Sequence, residues 1–239
     1  MLDCISVENM RLSDAYTIAN LVPSLELMHR AAMGVFRAVQ WQGRVGILAG
    51  SGNNGGDGFA LACILKKQNI ECTVFTMSQR LSSDSGYYAA RAREAGVAVR
   101  PFFRGCLDGY DMAVDCLLGT GFRGAVREDY RAAIEEINAS SCYIVSVDIN
   151  SGMNGDTGEA EAAVRSDLTV TIGYVKNGLI EENAGWYMKR LVCADIGIRL
   201  VKEENKICNA AEWEAAAKKS KGNYYKCPAW LDMNVIRVY

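Results

Sequence analysis

A strand, a glycine-rich turn and a helix start follow one another without a break between residues 45 and 67, which confines the chain to folds where a buried strand feeds directly into a helix. The apolar run Val45-Gly-Ile-Leu-Ala49 opens into Gly50-Ser-Gly-Asn-Asn-Gly-Gly-Asp-Gly58, and Phe59-Ala-Leu-Ala-Cys-Ile-Leu-Lys-Lys67 continues at helical spacing. Five of the nine turn positions are glycine, so the backbone is free to reach positive φ and to approach a ligand closely. The helix amino terminus behind them offers unpaired N–H groups to an anion. The turn is not a P-loop, since the Lys-Ser/Thr pair is missing, and not the usual dinucleotide fingerprint, since two asparagines and an aspartate occupy it. Spacing alone also fits an ordinary strand-to-helix loop capped by Asn or Asp.

The rest of the chain repeats the theme. Apolar spacing predicts helices over 10–21 and 24–39, divided at Val22-Pro23, where proline disfavours a helical predecessor. Then come strand 44–49, helix 57–68, strand 70–76, helix 83–95, a short strand near 97–102, strand 110–118, helix 127–138, and strands 143–148, 168–173 and 190–194. Strand-helix alternation with continuous apolar strands is the pattern of an α/β three-layer sandwich with a mostly parallel central sheet. In such sheets ligands bind outside the carboxyl ends of the strands, where strand order switches.

Three predicted strands open into polar, glycine-bearing loops at that end: Ser51 to Asp57, Asp115 to Gly124, and Asp148 to Gly155. A strand-end aspartate such as Asp115 is also a common turn cap. Together the loops would assemble Asn53, Asn54, Asp57, Asp115, Thr120, Asp148 and Ser151, oxygen donors suited to a hard monovalent or divalent cation, or to ribose and phosphate. Zinc is disfavoured: the single histidine, His29, lies on a predicted helix and reads as a partly buried helix residue. No serine elbow is evident, so acid/base work falls to Asp148 or Asp115. A cation beside Asp115 would keep it ionised, whereas apolar neighbours around Asp148 would raise its pKa toward neutrality, and the acid/base role is assigned to Asp148.

Composition excludes other classes. A net charge of −2, with no sustained basic run before the carboxy terminus, argues against nucleic acid. Nine cysteines without a C-x-x-C pair read as buried thiols of a reducing compartment. No window supplies the roughly 18 uncharged apolar residues of a membrane helix, and the amino terminus shows no basic-then-apolar leader, so a cytoplasmic, non-membrane protein is expected.

The glycine turn, Val114-Asp-Cys-Leu-Leu-Gly-Thr-Gly121, Ser146-Val-Asp-Ile-Asn-Ser-Gly152 and Thr169-Val-Thr-Ile-Gly-Tyr-Val-Lys-Asn-Gly-Leu179 occur in the order found in the NAD(P)HX epimerase family, the YjeF amino-terminal domain, which residues 5 to about 198 resemble. The resemblance implies a Rossmann-like fold and an isomerase that interconverts the R and S epimers of hydrated NADH and NADPH in metabolite repair. It implies that Asn53, Asn54, Gly55, Gly56 and Asp57, with Gly119, Thr120, Gly121, Phe122, Arg123, Gly124, Ala125 and Asp148, bind the hydrated nucleotide. It further implies a potassium ion held by Asn54, Asp115 and Ser151, with Asp148 assisting either departure of the C6 hydroxyl or ring opening. The fold also serves as a non-catalytic nucleotide-binding or dimerising scaffold, and as a cradle for other ribosyl phosphates, so a homodimer and both alternatives stay open.

Two departures from the family pattern stand out. Asn150 replaces a proline, which predicts a more mobile loop, and His29 replaces an acidic residue. Residues 1–209 are read as the epimerase domain and 210–239 as linker and tail. There Lys218-Lys-Ser-Lys-Gly-Asn-Tyr-Tyr-Lys226 is similar to the opening of the dehydratase domain often fused to this epimerase. Ala210 to Lys219 is expected as a linker helix, and 227–239 as a segment lacking its intended packing partner.

Overall fold

Strands buried from end to end need cover on both faces, and three segments, Val45–Ala49, Met112–Cys116 and Leu168–Ile172, are buried at every position. The computed structural model describes residues 1–212 and 224–239 and supplies that cover. In chain order the elements are β1 (Leu2–Ile5), α1 (Val7–Asn20), α2 (Ser24–Ala38), β2 (Val45–Ala49), α3 (Asn53–Lys67), β3 (Cys72–Thr76), α4 (Ser83–Glu94), β4 (Ala98–Pro101), β5 (Met112–Cys116) and α5 (Glu128–Ala139). They continue with β6 (Tyr143–Val147), β7 (Leu168–Ile172), β8 (Val175–Lys176), β9 (Leu191–Asp195), β10 (Asn205–Cys208), β11 (Tyr224–Lys226) and β12 (Leu231–Arg237).

Eight strands form a parallel sheet in the order β12-β9-β7-β6-β5-β2-β3-β4. Successive side chains point to opposite faces, so Ile47, Val114 and Val145 pack under α2, α3 and α4, while Leu48, Ala113 and Ile144 pack under Tyr130, Ile134 and Ile137 of α5. The expected α/β three-layer sandwich is thus the fold. A second sheet, β11-β10-β1-β8, covers a smaller cluster around Cys4, Ile149 and Leu179.

Several elements differ from the sequence expectation. Helix α3 begins at Asn53 rather than 57, and β1, β8, β10 and β11 have no counterpart in the apolar pattern. Residues 231–237 do find a partner: β12 pairs in parallel with β9, Leu231 is buried, and the Trp230 indole N–H donates to the Leu179 carbonyl at 3.1 Å. The expected linker helix over 210–219 lies outside the described residues beyond 212, as does 218–223 of the dehydratase-like motif. No described helix is long and apolar enough to cross a membrane.

All nine cysteines are unbridged. Burial pushes every thiol pKa up, Cys4 and Cys193 to about 12, Cys72 and Cys106 to about 11.

Candidate active site

From β2 the chain adds β3 and β4 on one side and then returns to the other with β5, so strand order switches between β2 and β5. A crevice of about 810 Å³ opens there, bordered by the loops after β2, β5 and β6 and roofed by α1 and α2. The loops meet through glycine. A Cβ on Gly50 would lie 1.9 Å from the Leu117 carbonyl oxygen, and one on Gly55 would lie 2.0 Å from that of Gly50. Gly52 caps α3 without a side-chain hydrogen bond, which leaves the first-turn N–H groups open toward the crevice.

Asp115, the penultimate residue of β5, is fully buried. Its Oδ2 accepts from Ser146 Oγ and the Ser151 N–H, both at 2.9 Å, and its Oδ1 from Ser151 Oγ at 2.5 Å and the Leu117 N–H at 3.2 Å. Burial raises its pKa, opposed by the hydrogen bonds from Ser151, Leu117 and Ser146. Asn54 donates from Nδ2 to the Leu118 carbonyl at 2.9 Å, while its buried Oδ1 has no partner among the described residues.

Asp148 follows β6 with φ +71, a left-handed value rare outside glycine. Its Oδ2 accepts from the Thr120 N–H at 3.2 Å. Its Oδ1 accepts from Lys176 Nζ at 2.5 Å, and the fully buried Lys176 ammonium also donates to the Ile172 carbonyl at 2.7 Å and Thr171 Oγ1 at 3.1 Å. From sequence, Asp148 is expected among apolar neighbours; the structure sets a buried ammonium against it instead. The strongly raised carboxyl is Asp57, pushed well up by burial and further by the charges of Asp148 and Asp14, with Lys176 opposing. Asp14, on α1, is raised by burial and then by Asp148.

The crevice brings together most of the expected residues. Asn53, Asn54, Asp57, Gly119, Thr120, Gly121, Phe122, Arg123, Ala125 and Asp148 line it. Gly55 and Gly56 are buried behind the lining, where Gly56 packs on Met28, and Gly124 takes φ +77 in the loop after β5. Asp115 and Ser151 are buried. His29 is exposed on α2, not partly buried. The loop after Asp148 is fastened rather than loosened at Asn150, whose fully buried side chain makes hydrogen bonds to Val164, Ser166, Tyr187 and Thr169. Sequence reasoning missed Asp14 and Lys176 as site residues. A lysine two residues after Gly173-Tyr174 in an otherwise apolar stretch was the one available signal for the second.

Residues 24–178 match the family model of the YjeF-related protein N-terminus. The chain is 33% identical to the NAD(P)H-hydrate epimerase of Limosilactobacillus fermentum, over 80% of this chain and 95% of that protein. It is 35% identical to the NAD(P)H-hydrate epimerase of Rhodopirellula baltica, over 75% of this chain and 78% of that protein. Identity is also 35% with the bifunctional NAD(P)H-hydrate repair enzyme Nnr of Archaeoglobus fulgidus, over 83% of this chain but only 41% of that longer protein. The crystal structure of yeast ynu0, YNL200c, superposes with a TM-score of 0.70 at 22% identity, covering 85% of this chain and 97% of the yeast chain, a likeness of fold. With its crevice at the switch point and its three polar loops, the chain belongs to the family of YjeF-related amino-terminal domains.

Proposed function

We propose that the chain is an isomerase, an NAD(P)H-hydrate epimerase that equilibrates the R and S forms of NADHX and NADPHX in nicotinamide cofactor repair. The observation that carries the chemistry is the pairing of unlike carboxyls on one crevice: Asp148 in an ion pair with Lys176, and Asp57 with its pKa pushed well up. Such a pair supplies one proton acceptor and one donor. The open amino terminus of α3 and Arg123 suit the pyrophosphate. With the nicotinamide ring between the carboxyls, Asp148 takes the proton of the C6 hydroxyl while the N1–C6 bond breaks, and Asp57 protonates N1. Rotation of the resulting aldehyde and closure on its other face, with both protons returned, inverts C6. If the hydroxyl departs as water instead, Asp57 donates the proton to it, Asp148 takes one from the water that adds to the other face of C6, and that proton then passes from Asp148 back to Asp57 through solvent.

A potassium ion fits beside this machinery. Asn54, Asp115 and Ser151 are hard oxygen donors, and the buried Asn54 Oδ1, without a partner among the described residues, is the atom a cation would satisfy. When bound, the ion supplies positive charge next to the buried Asp115 carboxyl. The bifunctional relatives fit a dehydratase domain or protein as partner.

The test is chiral chromatography of (R)-NADHX incubated with the protein, with and without potassium. Acceleration of the equilibrium is expected, and a rate no faster than the spontaneous one would refute the reading. Asp148→Asn should abolish turnover, but it also strands buried Lys176 at about 3–5 kcal/mol. The double variant Asp148→Asn/Lys176→Met is expected to regain stability while remaining inactive, separating chemistry from folding.

A further inference from the structure

The Asp148 backbone sits in a conformation that does not hold itself. The Ile149 N–H donates to the Val147 carbonyl at 3.0 Å across Asp148, whose φ is +71, so Asp148 is the centre of a left-handed γ-turn, a rare and strained geometry. Such a turn persists only when its surroundings over-determine it. On one side the Asp148 N–H is held by the Val170 carbonyl at 2.8 Å. On the other, two residues on, lies Asn150, fully buried. Its Oδ1 accepts from Thr169 Oγ1 at 2.6 Å, and its Nδ2 shares two protons among Ser166 Oγ at 3.0 Å and the Val164 and Tyr187 carbonyls at 2.9 and 2.8 Å. Thr169 has only one hydroxyl proton, given to Asn150, so the 2.8 Å contact between Ser166 and Thr169 is donated by Ser166. The hydrogen bonds close a ring through Asn150, Ser166 and Thr169.

The ring is one end of a polar row. Asp115, Ser146 and Thr169 are register partners across β5, β6 and β7 and therefore share a face of the sheet. The loop seats Ser151 on Asp115 and Asn150 on Thr169, so it is fastened at both ends of the row immediately after the strained turn.

We propose that Asn150 is a positioning residue: its ring with Ser166 and Thr169 holds Asp148 in the left-handed turn that aims the carboxylate at Lys176 and the Thr120 N–H. The proposal rests on the reading of Asp148 as the proton-handling group. Neither Asn150 nor Thr169 lines the crevice.

The decisive comparison is Thr169→Val, which keeps the shape and removes both bonds that the Thr169 hydroxyl makes in the ring, against Thr169→Ser, which keeps both bonds and removes a methyl group. Asn150→Ala and Asn150→Ala/Thr169→Val complete the set. Kinetics on NADHX and amide hydrogen exchange are read together. Thr169→Val and Asn150→Ala are expected to lower kcat about ten- to a hundredfold with KM nearly unchanged, the scale of a small misplacement of a reacting group. The double variant should be no worse than the poorer single one, because one ring is broken once, and Thr169→Ser should retain the parent kcat. Exchange of the Ile149 and Ser151 amides should quicken in Thr169→Val while the central sheet is unaffected. A Thr169→Val protein with the parent kcat, or a Thr169→Ser protein that loses it, would overturn the proposal and leave only packing. Should the parent protein not epimerise NADHX, the functional reading fails, and exchange alone decides: faster exchange confined to 147–151 supports the ring, and unchanged exchange overturns it.

Discussion

Asp57 faces the crevice one turn into α3, where desolvation and the charges of Asp148 and Asp14 hold its proton more tightly than the unfolded chain does. The native state therefore binds more protons than the unfolded state above the ordinary value of 3.8, and stability falls as pH rises from there toward the raised value, then levels off. Asp57→Asn removes that loss. Thermal denaturation of variant and parent at about pH 4 and about pH 8 should reveal a gap favouring the variant that widens with pH; a gap of the same size at both would show that Asp57 is not raised. Asn54, Asp57, Asp115 and Asp148 were legible in the sequence because each sits in a glycine-bearing loop after an apolar strand. Lys176 was not. A lysine within an apolar stretch usually carries its ammonium out to water, and only the packing of β8 beside the turn at Asp148 reveals one that is kept inside.

At the level of elements, α3 begins where two chemically similar glycines have different duties. A Cβ on Gly52 meets nothing within 4 Å, whereas one on Gly55 would strike the Gly50 carbonyl oxygen. Gly52→Ala should keep the parent's stability. Gly55→Ala must displace the loop after β2, at about 1–3 kcal/mol of stability and with weakened binding of ADP-ribose. Urea denaturation and calorimetric titration of both variants check this, and equal behaviour would contradict the close approach. The same contact explains the misplaced helix start. Asn53-Asn-Gly-Gly has the composition of a turn, but tertiary contact beneath Gly50 wins over local propensity. Strands of the central sheet were readable because burial on both faces leaves continuous apolar runs. The strands β1, β8, β10 and β11 are two to four residues long and too short for a period to register.

For the whole molecule, the rule that ligands bind outside the carboxyl ends of parallel strands pointed to the three loops that border the crevice, yet the far edge of the sheet escaped the sequence. β12 closes that edge: it pairs with β9, offers the Arg237 carbonyl to Arg37 of α2 at 2.7 Å, and with the residue after it places Ile236 and Val238 against the main core. Its apolar positions are interrupted by an irregularity between Leu231 and Val235, which erases the alternation a strand would display. Truncation after Ala229 is expected to lower the melting temperature by roughly 10 °C, from the loss of Trp230 and Leu231. Scanning calorimetry would decide, and an unchanged midpoint would make β12 dispensable. The muted thiols matter for the molecule as a unit as well. The thiolate is the form that attacks peroxides and other electrophiles, and burial disfavours that form at all nine sulfurs. Cysteine-rich as it is, the folded chain is expected to consume peroxide slowly at its thiols, and faster once urea has unfolded it.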